Sequence, residues 1–248
     1  WLCYNAPHLP NTVHPDAQGT YANVEVPIPE DWYGPRAGKP AYMRTLTMYR
    51  PDLEGNPRYH YPNRSYSLSE MITNYNELVI TLDEAVGRLY ASLEETGQLD
   101  NTVIVFASDQ GFAWGEHGYA WKVGPYDACL RMPMLVRYPA EAPAGGVVQS
   151  PVSIIDVVPT LLSYTGVEVD WPLHGRNLRP ALRDPAAGLD GRVFTEHFLS
   201  NFGDQIQTAV TDDNNFWRTI PWWLSVTDGR FKYIRSLVPD EIEELYDL

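Results

Sequence analysis

Residues 102–111 read Thr-Val-Ile-Val-Phe-Ala-Ser-Asp-Gln-Gly, an apolar, β-branched run that stops on a carboxylate, a carboxamide and a glycine. Asp109 and Gln110 offer hard oxygen ligands, which suit Ca²⁺ or Mg²⁺ better than a soft metal. The same residues are also an ordinary exit from a strand into a turn, and on their own both readings stand. Two other groups bear on the chemistry. Lys122 lies thirteen positions beyond Asp109 in a loop, where a lysine by itself is a surface charge. His8 stands in Ala-Pro-His-Leu-Pro, with Pro7 and Pro10 restricting the backbone around it; by itself it is a loop histidine.

The elements that must position these groups follow from periodicity. The run before Asp109 has the composition of a buried strand, and open α/β sheets bind ligands beyond the carboxyl ends of their strands. Residues 67–97 predict a helix. Ser67 and Glu70 form a capping box, Met71, Ile72, Tyr75, Leu78, Val79, Leu82, Val86, Leu89, Tyr90 and Leu93 recur on one broad face, and Gly97 is the stop. The charges at 83–88 form its solvent face. Helix followed by strand is the unit of a sheet with helices on its faces. Residues 133–138 predict the next strand. Residues 150–166 predict a short strand and a helix, with Asp156 as an architectural N-cap and Pro159 in the first turn. Strands are expected near 193–198, 222–226 and 231–235, the last two joined by the hairpin turn Thr-Asp-Gly-Arg at 227–230. Trp217, Trp222 and Trp223 read as hairpin packing.

Elsewhere the signals are weaker. Residues 1–4 look like the inside of a strand, and Val24, Val26 and Ile28 alternate as a short strand would. The rest of 11–66 has little periodicity, and so long a stretch tends to be functional. Its cations Arg36, Lys39, Arg44, Arg58, His60 and Arg64 read as solvated surface charges.

Length and composition narrow the classes. The 248 residues suffice for one large domain or one and a half. A formal charge of −14 argues against nucleic acid or an anionic membrane as a general partner, although a metal and a few cations can invert the field locally for an anionic substrate. No apolar run approaches the roughly 18 residues that span a bilayer. The two cysteines, Cys3 and Cys129, form no disulfide framework or metal spacing; they read as ordinary buried thiols, with a single bridge between them the alternative.

Residues 109–139 carry a longer pattern: Asp-Gln-Gly, then Gly-Glu-His-Gly, Lys122, Tyr-Asp, Arg131-Met-Pro and another apolar run. This resembles the sulfatase family of the alkaline-phosphatase-like superfamily in order, spacing and residue type. Further parallels are Ala-Pro-His-Leu-Pro at 6–10, Asp-Gly-Arg-Phe-Lys-Tyr-Ile at 228–234 and Glu-Glu-Leu-Tyr-Asp-Leu at 243–248. The resemblance implies an α/β fold, a mixed sheet flanked by helices that forms part of a sulfatase core. Residues 1–170 would belong to the catalytic domain, and 171–248 to the start of a small, truncated antiparallel C-terminal subdomain. The region 11–66 resembles the variable insertion that shapes the substrate pocket.

For the site, the resemblance implies that Asp109 and Gln110 contribute to a divalent metal, Ca²⁺ ahead of Mg²⁺. It implies that Lys122 and His8 contact the sulfate, with His8 the better proton donor to the leaving oxygen because histidine titrates near neutral pH. His117, in Gly-Glu-His-Gly, reads as a structural loop residue, and Trp114 and Trp121 either line the pocket or pack the loop. The family's Cys/Ser-x-Pro-x-Arg motif, whose first residue becomes formylglycine, does not occur in these residues, and neither do its two N-terminal metal aspartates. The chain is therefore expected to be a C-terminal portion of a sulfatase, incomplete and inactive alone, acting in the whole enzyme on a small sulfated substrate. A periplasmic, secreted or lysosome-like compartment is compatible with this. Two rivals stand beside it: a phosphodiesterase or phosphonate monoester hydrolase of the same superfamily, and a non-catalytic binding module.

Overall fold

A computed structural model describes residues 1–8, 12–45, 48–61, 64–198 and 220–248. In chain order, the first elements are α1 (Ala41–Thr45), β1 (Tyr49–Pro51), β2 (Pro57–Tyr61), β3 (Arg64–Ser67) and α2 (Leu68–Glu95). Then come β4 (Ile104–Ala107), β5 (Ala113–Trp114), β6 (Ala120–Trp121), α3 (Asp127–Leu130) and β7 (Met134–Arg137). The last are α4 (Val157–Thr165), α5 (Arg179–Arg183), β8 (Val193–His197), β9 (Trp223–Thr227), β10 (Phe231–Ser236) and β11 (Glu244–Asp247).

The chain divides into two compact units. The first comprises Trp1–Gly38, Met43–Leu99 and Phe112–Trp121; the second comprises Lys39–Tyr42, Asp100–Gly111 and Lys122–Leu248.

In the first unit, β1, β2 and β3 form an antiparallel meander inside the region expected to lack elements. Its first turn is set by Asp52, whose carboxylate accepts from the amides of Glu54 (3.0 Å) and Asn56 (2.8 Å). Such side-chain turns are short and leave no periodicity to read. β3 runs straight into α2, where Ser67 and Glu70 close the expected capping box and Gly97, at φ 66°, follows the end. Leu68, Met71 and Leu78 bury the first half of α2, while Val79, Leu89 and Tyr90 farther along remain exposed. Glu77 is buried on the same helix, satisfied by the amides of Gly19 (2.8 Å) and Tyr21 (3.2 Å).

Two expected strands are absent from this unit. Residues 1–4 are irregular, with Trp1 97% exposed, and no described strand pairs with them. Residues 24–28 are likewise irregular. A strand exists only where a neighbour takes its backbone groups, which alternation alone does not guarantee.

In the second unit, β4 pairs antiparallel with β7. A four-stranded antiparallel sheet has the order β11-β10-β9-β8. The β9–β10 turn is the expected hairpin, with Asp228 accepting from the amides of Arg230 (3.0 Å) and Phe231 (2.7 Å). One face of this sheet is buried through Trp223, Ser225, Lys232, Ile234 and Ser236. The four-stranded antiparallel C-terminal sheet and the α/β class are both present. The strand expected before α4 is instead irregular chain and a short 3₁₀ turn, Ile154–Asp156. Asp156 is architectural but makes no side-chain cap for α4. Buried, it accepts from the Ser153 amide (2.9 Å) and from the Arg176 amide (2.6 Å) and guanidinium (2.9 Å), which fastens the segment before α5. Among the described residues, no helix is long and apolar enough to cross a membrane.

Candidate active site

The exit of β4 is fixed by backbone contacts. The Gly111 amide donates to Cys129 O at 2.9 Å, and a Cβ on residue 111 would lie 2.5 Å from Ala128 O and 2.8 Å from Arg131 O. Only glycine fits so close to the α3 turn. Between that anchor and the strand, Ser108 Oγ donates to the Gln110 backbone carbonyl at 3.0 Å and to Asp109 Oδ1 at 3.4 Å. Asp109 is exposed and Gln110 half-buried at this exit. Their oxygens are a donor set that fits Ca²⁺ or Mg²⁺ on a braced backbone. Among the described residues, no group of three or more His, Cys, Asp and Glu could hold a metal, so these two are at most part of a shell.

Lys122 is half-buried in the turn that leads into α3. The residues on either side of it, Trp121 and Val123, have left-handed backbones with φ 82° and 69°. For a bulky or β-branched residue this region is a real outlier, held only where the surroundings over-determine it. The C-terminal sheet supplies the hold at three successive points. Trp223 Nε1 of β9 donates to Val123 O at 2.9 Å. Tyr126 Oη donates to the Glu244 carboxylate of β11 at 3.1 and 3.3 Å. Lys232 Nζ of β10 meets Asp127 Oδ1 at 2.6 Å. The same short helix thus braces Gly111 from one side and is tied to the sheet just after Lys122.

The second tie belongs to a larger buried cluster. Lys39, 14% exposed, reaches Glu244, 4% exposed, at 3.3 Å, and lies over the rings of Tyr126 (4.3 Å) and Tyr246 (4.6 Å). Tyr246 also bonds to Lys39 and Glu244. Burial, more than any neighbouring charge, pushes the Tyr42, Tyr126 and Tyr246 phenols well above their ordinary range, so they remain neutral. Lys39 is therefore not the surface charge expected of it; its partner lies far along the chain. Arg36 departs in the same way: it is half-buried and donates to Met43 O at 2.8 Å. The side chains of His60 and Arg64, and Trp217, lie outside the described residues.

His8 belongs to the first unit. It is exposed, follows a cis Ala6–Pro7 bond, and its amide donates to Asn5 O at 2.8 Å. Asp109, Gln110 and Lys122 share the second unit. His117 has Nδ1 2.7 Å from Asp31 Oδ2 and a left-handed backbone, φ 57°, consistent with a loop-holding role. Trp114 packs on Phe112 (4.4 Å) and Tyr75 (5.1 Å), and Trp121 on Tyr59 (5.8 Å). Trp222 packs on Phe198 and Trp223 on His197, as hairpin residues would. Cys129 is buried as expected, whereas Cys3 is exposed; neither is in a disulfide.

Residues 1–167 match the family model Sulfatase, and residues 115–248 match N-sulphoglucosamine sulphohydrolase, C-terminal. The chain belongs to the sulfatase family. Among sulfatase relatives it is 39% identical to an N-acetylglucosamine-6-O-sulfatase of Bacteroides thetaiotaomicron, covering 58% of this chain and 25% of that one. A choline-sulfatase of Rhizobium meliloti is 38% identical over 67% of this chain and 29% of its own length. The chain thus spans well under half of each relative. One solved structure, a protein in complex with its substrate D-glucosamine-2-N,6-O-disulfate, matches 98% of this chain and 57% of its own with a TM-score of 0.69 at 24% identity, a likeness of fold. A phosphonate monoester hydrolase of Silicibacter pomeroyi matches 73% of this chain and 35% of its own, with a TM-score of 0.61 at 29% identity.

Of the sheet residues that brace the site, Trp223 was read from sequence only as hairpin packing, and Lys232 and Glu244 were given no role of their own. A signal existed for one. Strand alternation puts Lys232 on the face of Ile234 and Ser236, and a lysine on a buried face calls for a partner.

Proposed function

We propose that this chain supplies part of the active site of a sulfuric ester hydrolase. The observation that carries the reading is the braced β4 exit, Asp109-Gln110-Gly111, joined through α3 to the strained turn that bears Lys122. Asp109 and Gln110 would hold a divalent cation, Ca²⁺ ahead of Mg²⁺, which when bound polarises the sulfate oxygens. A formylglycine carried by another part of the protein would supply the nucleophilic oxygen. Lys122 binds the sulfate and offsets negative charge as the ester oxygen departs, a role suited to a compact ammonium. His8 contacts the ester and donates a proton to the leaving oxygen. Residues 1–170 act as catalytic-domain sequence and 171–248 as C-terminal subdomain, on a small sulfated substrate; the N-acetylglucosamine and choline sulfatases among its relatives support a sugar or a choline-like ester as candidates beside an aryl ester.

A second reading, phosphonate monoester or phosphodiester hydrolysis, is favoured by the likeness to the phosphonate monoester hydrolase. Turnover of aryl sulfate, aryl phosphonate and phosphate diesters by the full-length protein separates the two readings. Lys122→Ala is expected to lower kcat/KM on the preferred substrate by about 100-fold or more without unfolding the protein. Wild-type turnover in that variant would remove Lys122 from the site.

A further inference from the structure

Val123 has a backbone that its side chain resists, φ 69° on a β-branched residue. Its carbonyl is gripped by the indole N–H of Trp223 at 2.9 Å. That indole cannot drift. Trp223 is 1% exposed, β9 lies between β8 and β10, and the ring stacks on His197 at 5.8 Å and 19°. The ties from Lys232 and Glu244 grip Asp127 and Tyr126, farther along the segment. Trp223 grips the residue next to the lysine.

Resting on the reading of Lys122 given above, we propose that Trp223 is a positioning residue: its N–H holds the Val123 carbonyl and with it the left-handed turn that aims the Lys122 ammonium at the sulfate. A tryptophan needed only for volume would tolerate loss of its N–H. A positioning tryptophan does not, because a displacement on the order of 1 Å at a charged group costs catalysis heavily.

The test is a double-mutant cycle in the full-length protein, measuring kcat/KM on para-nitrophenyl sulfate and, as a readout free of chemistry, the affinity for inorganic sulfate by calorimetry. Trp223→Phe is expected to lower kcat/KM by about 10- to 100-fold and to weaken sulfate binding in the native background. In the Lys122→Ala background it should change neither by more than about twofold. Where Trp223→Phe does not fold, benzothienylalanine at position 223 alone keeps the ring volume and removes the donor, with the same expectation. Equal losses in both backgrounds, or a folded donor-less variant with native turnover, overturn the inference and leave Lys122 in place. Native turnover in Lys122→Ala overturns the reading of the lysine and the inference together.

Discussion

Replacing Glu244 by glutamine tests the cluster that ties the C-terminal sheet to the segment after Lys122. The carboxylate is 4% exposed, meets Lys39 Nζ at 3.3 Å, and accepts from Tyr126 and Tyr246. Glutamine keeps an acceptor oxygen for one tyrosine but leaves the ammonium without its counter-charge. Breaking a buried pair from one side costs about 3–5 kcal/mol, since the remaining ion stays desolvated. The aromatic faces 4.3 and 4.6 Å from Lys39 return part of this, about 1 kcal/mol for a partly desolvated cation. The expected loss is therefore about 2–4 kcal/mol. It should be read as a lower denaturation midpoint and as faster amide exchange in β11 and at Tyr126. Lys39→Met combined with Glu244→Gln removes both charges and should recover much of the loss, because a desolvated pair replaced whole is close to neutral. A Glu244→Gln protein within about 0.5 kcal/mol of native stability, or a double variant whose loss equals the sum of the singles, would refute the account.

Two other perturbations bear on the same frame. Gly111→Ala pushes a Cβ to 2.5 Å from Ala128 O, a backbone atom that cannot swing away. It should cost about 1–3 kcal/mol and raise the Ca²⁺ concentration needed for half-maximal turnover, and an unchanged calcium profile would separate Gly111 from the proposed metal residues. Glu141 is gripped by the guanidiniums of Arg179 and Arg183, which lower its pKa from 4.5 to about 2. A depressed carboxylate contributes stability in full above its unfolded pKa and loses it as pH falls toward the folded one. Thermal stability should therefore fall between pH 4.5 and about 2 through this group, and Glu141→Gln should flatten that slope while lowering stability at neutral pH. A native slope in the variant would show that the ion pair contributes nothing.

Much of the architecture is written locally in the chain. The α2 cap at Ser67 and Glu70, its stop at Gly97, the β4 run into Asp109 and the Asp228–Gly229 hairpin each depend on neighbours a few residues away, so periodicity and turn chemistry suffice to place them. The 109–131 motif is equally local, which is why the family was legible before any coordinates. Tertiary structure decided whatever needs a distant partner. Residues 1–4 and 24–28 have strand-like residues but no described strand to pair with, while β1, β2 and β3 form a meander in an aperiodic region because β1 meets β2 across the Asp52 turn and β3 pairs with β2. Lys39 looked like a surface charge because Glu244, Tyr126 and Tyr246 are far away along the chain. Trp223 looked like packing because nothing near it in sequence announces that its N–H reaches a carbonyl one hundred residues earlier. Local patterning encodes which backbone a segment prefers; which side chains meet, and so how the lysine turn is braced, is settled only when the sheet closes over it.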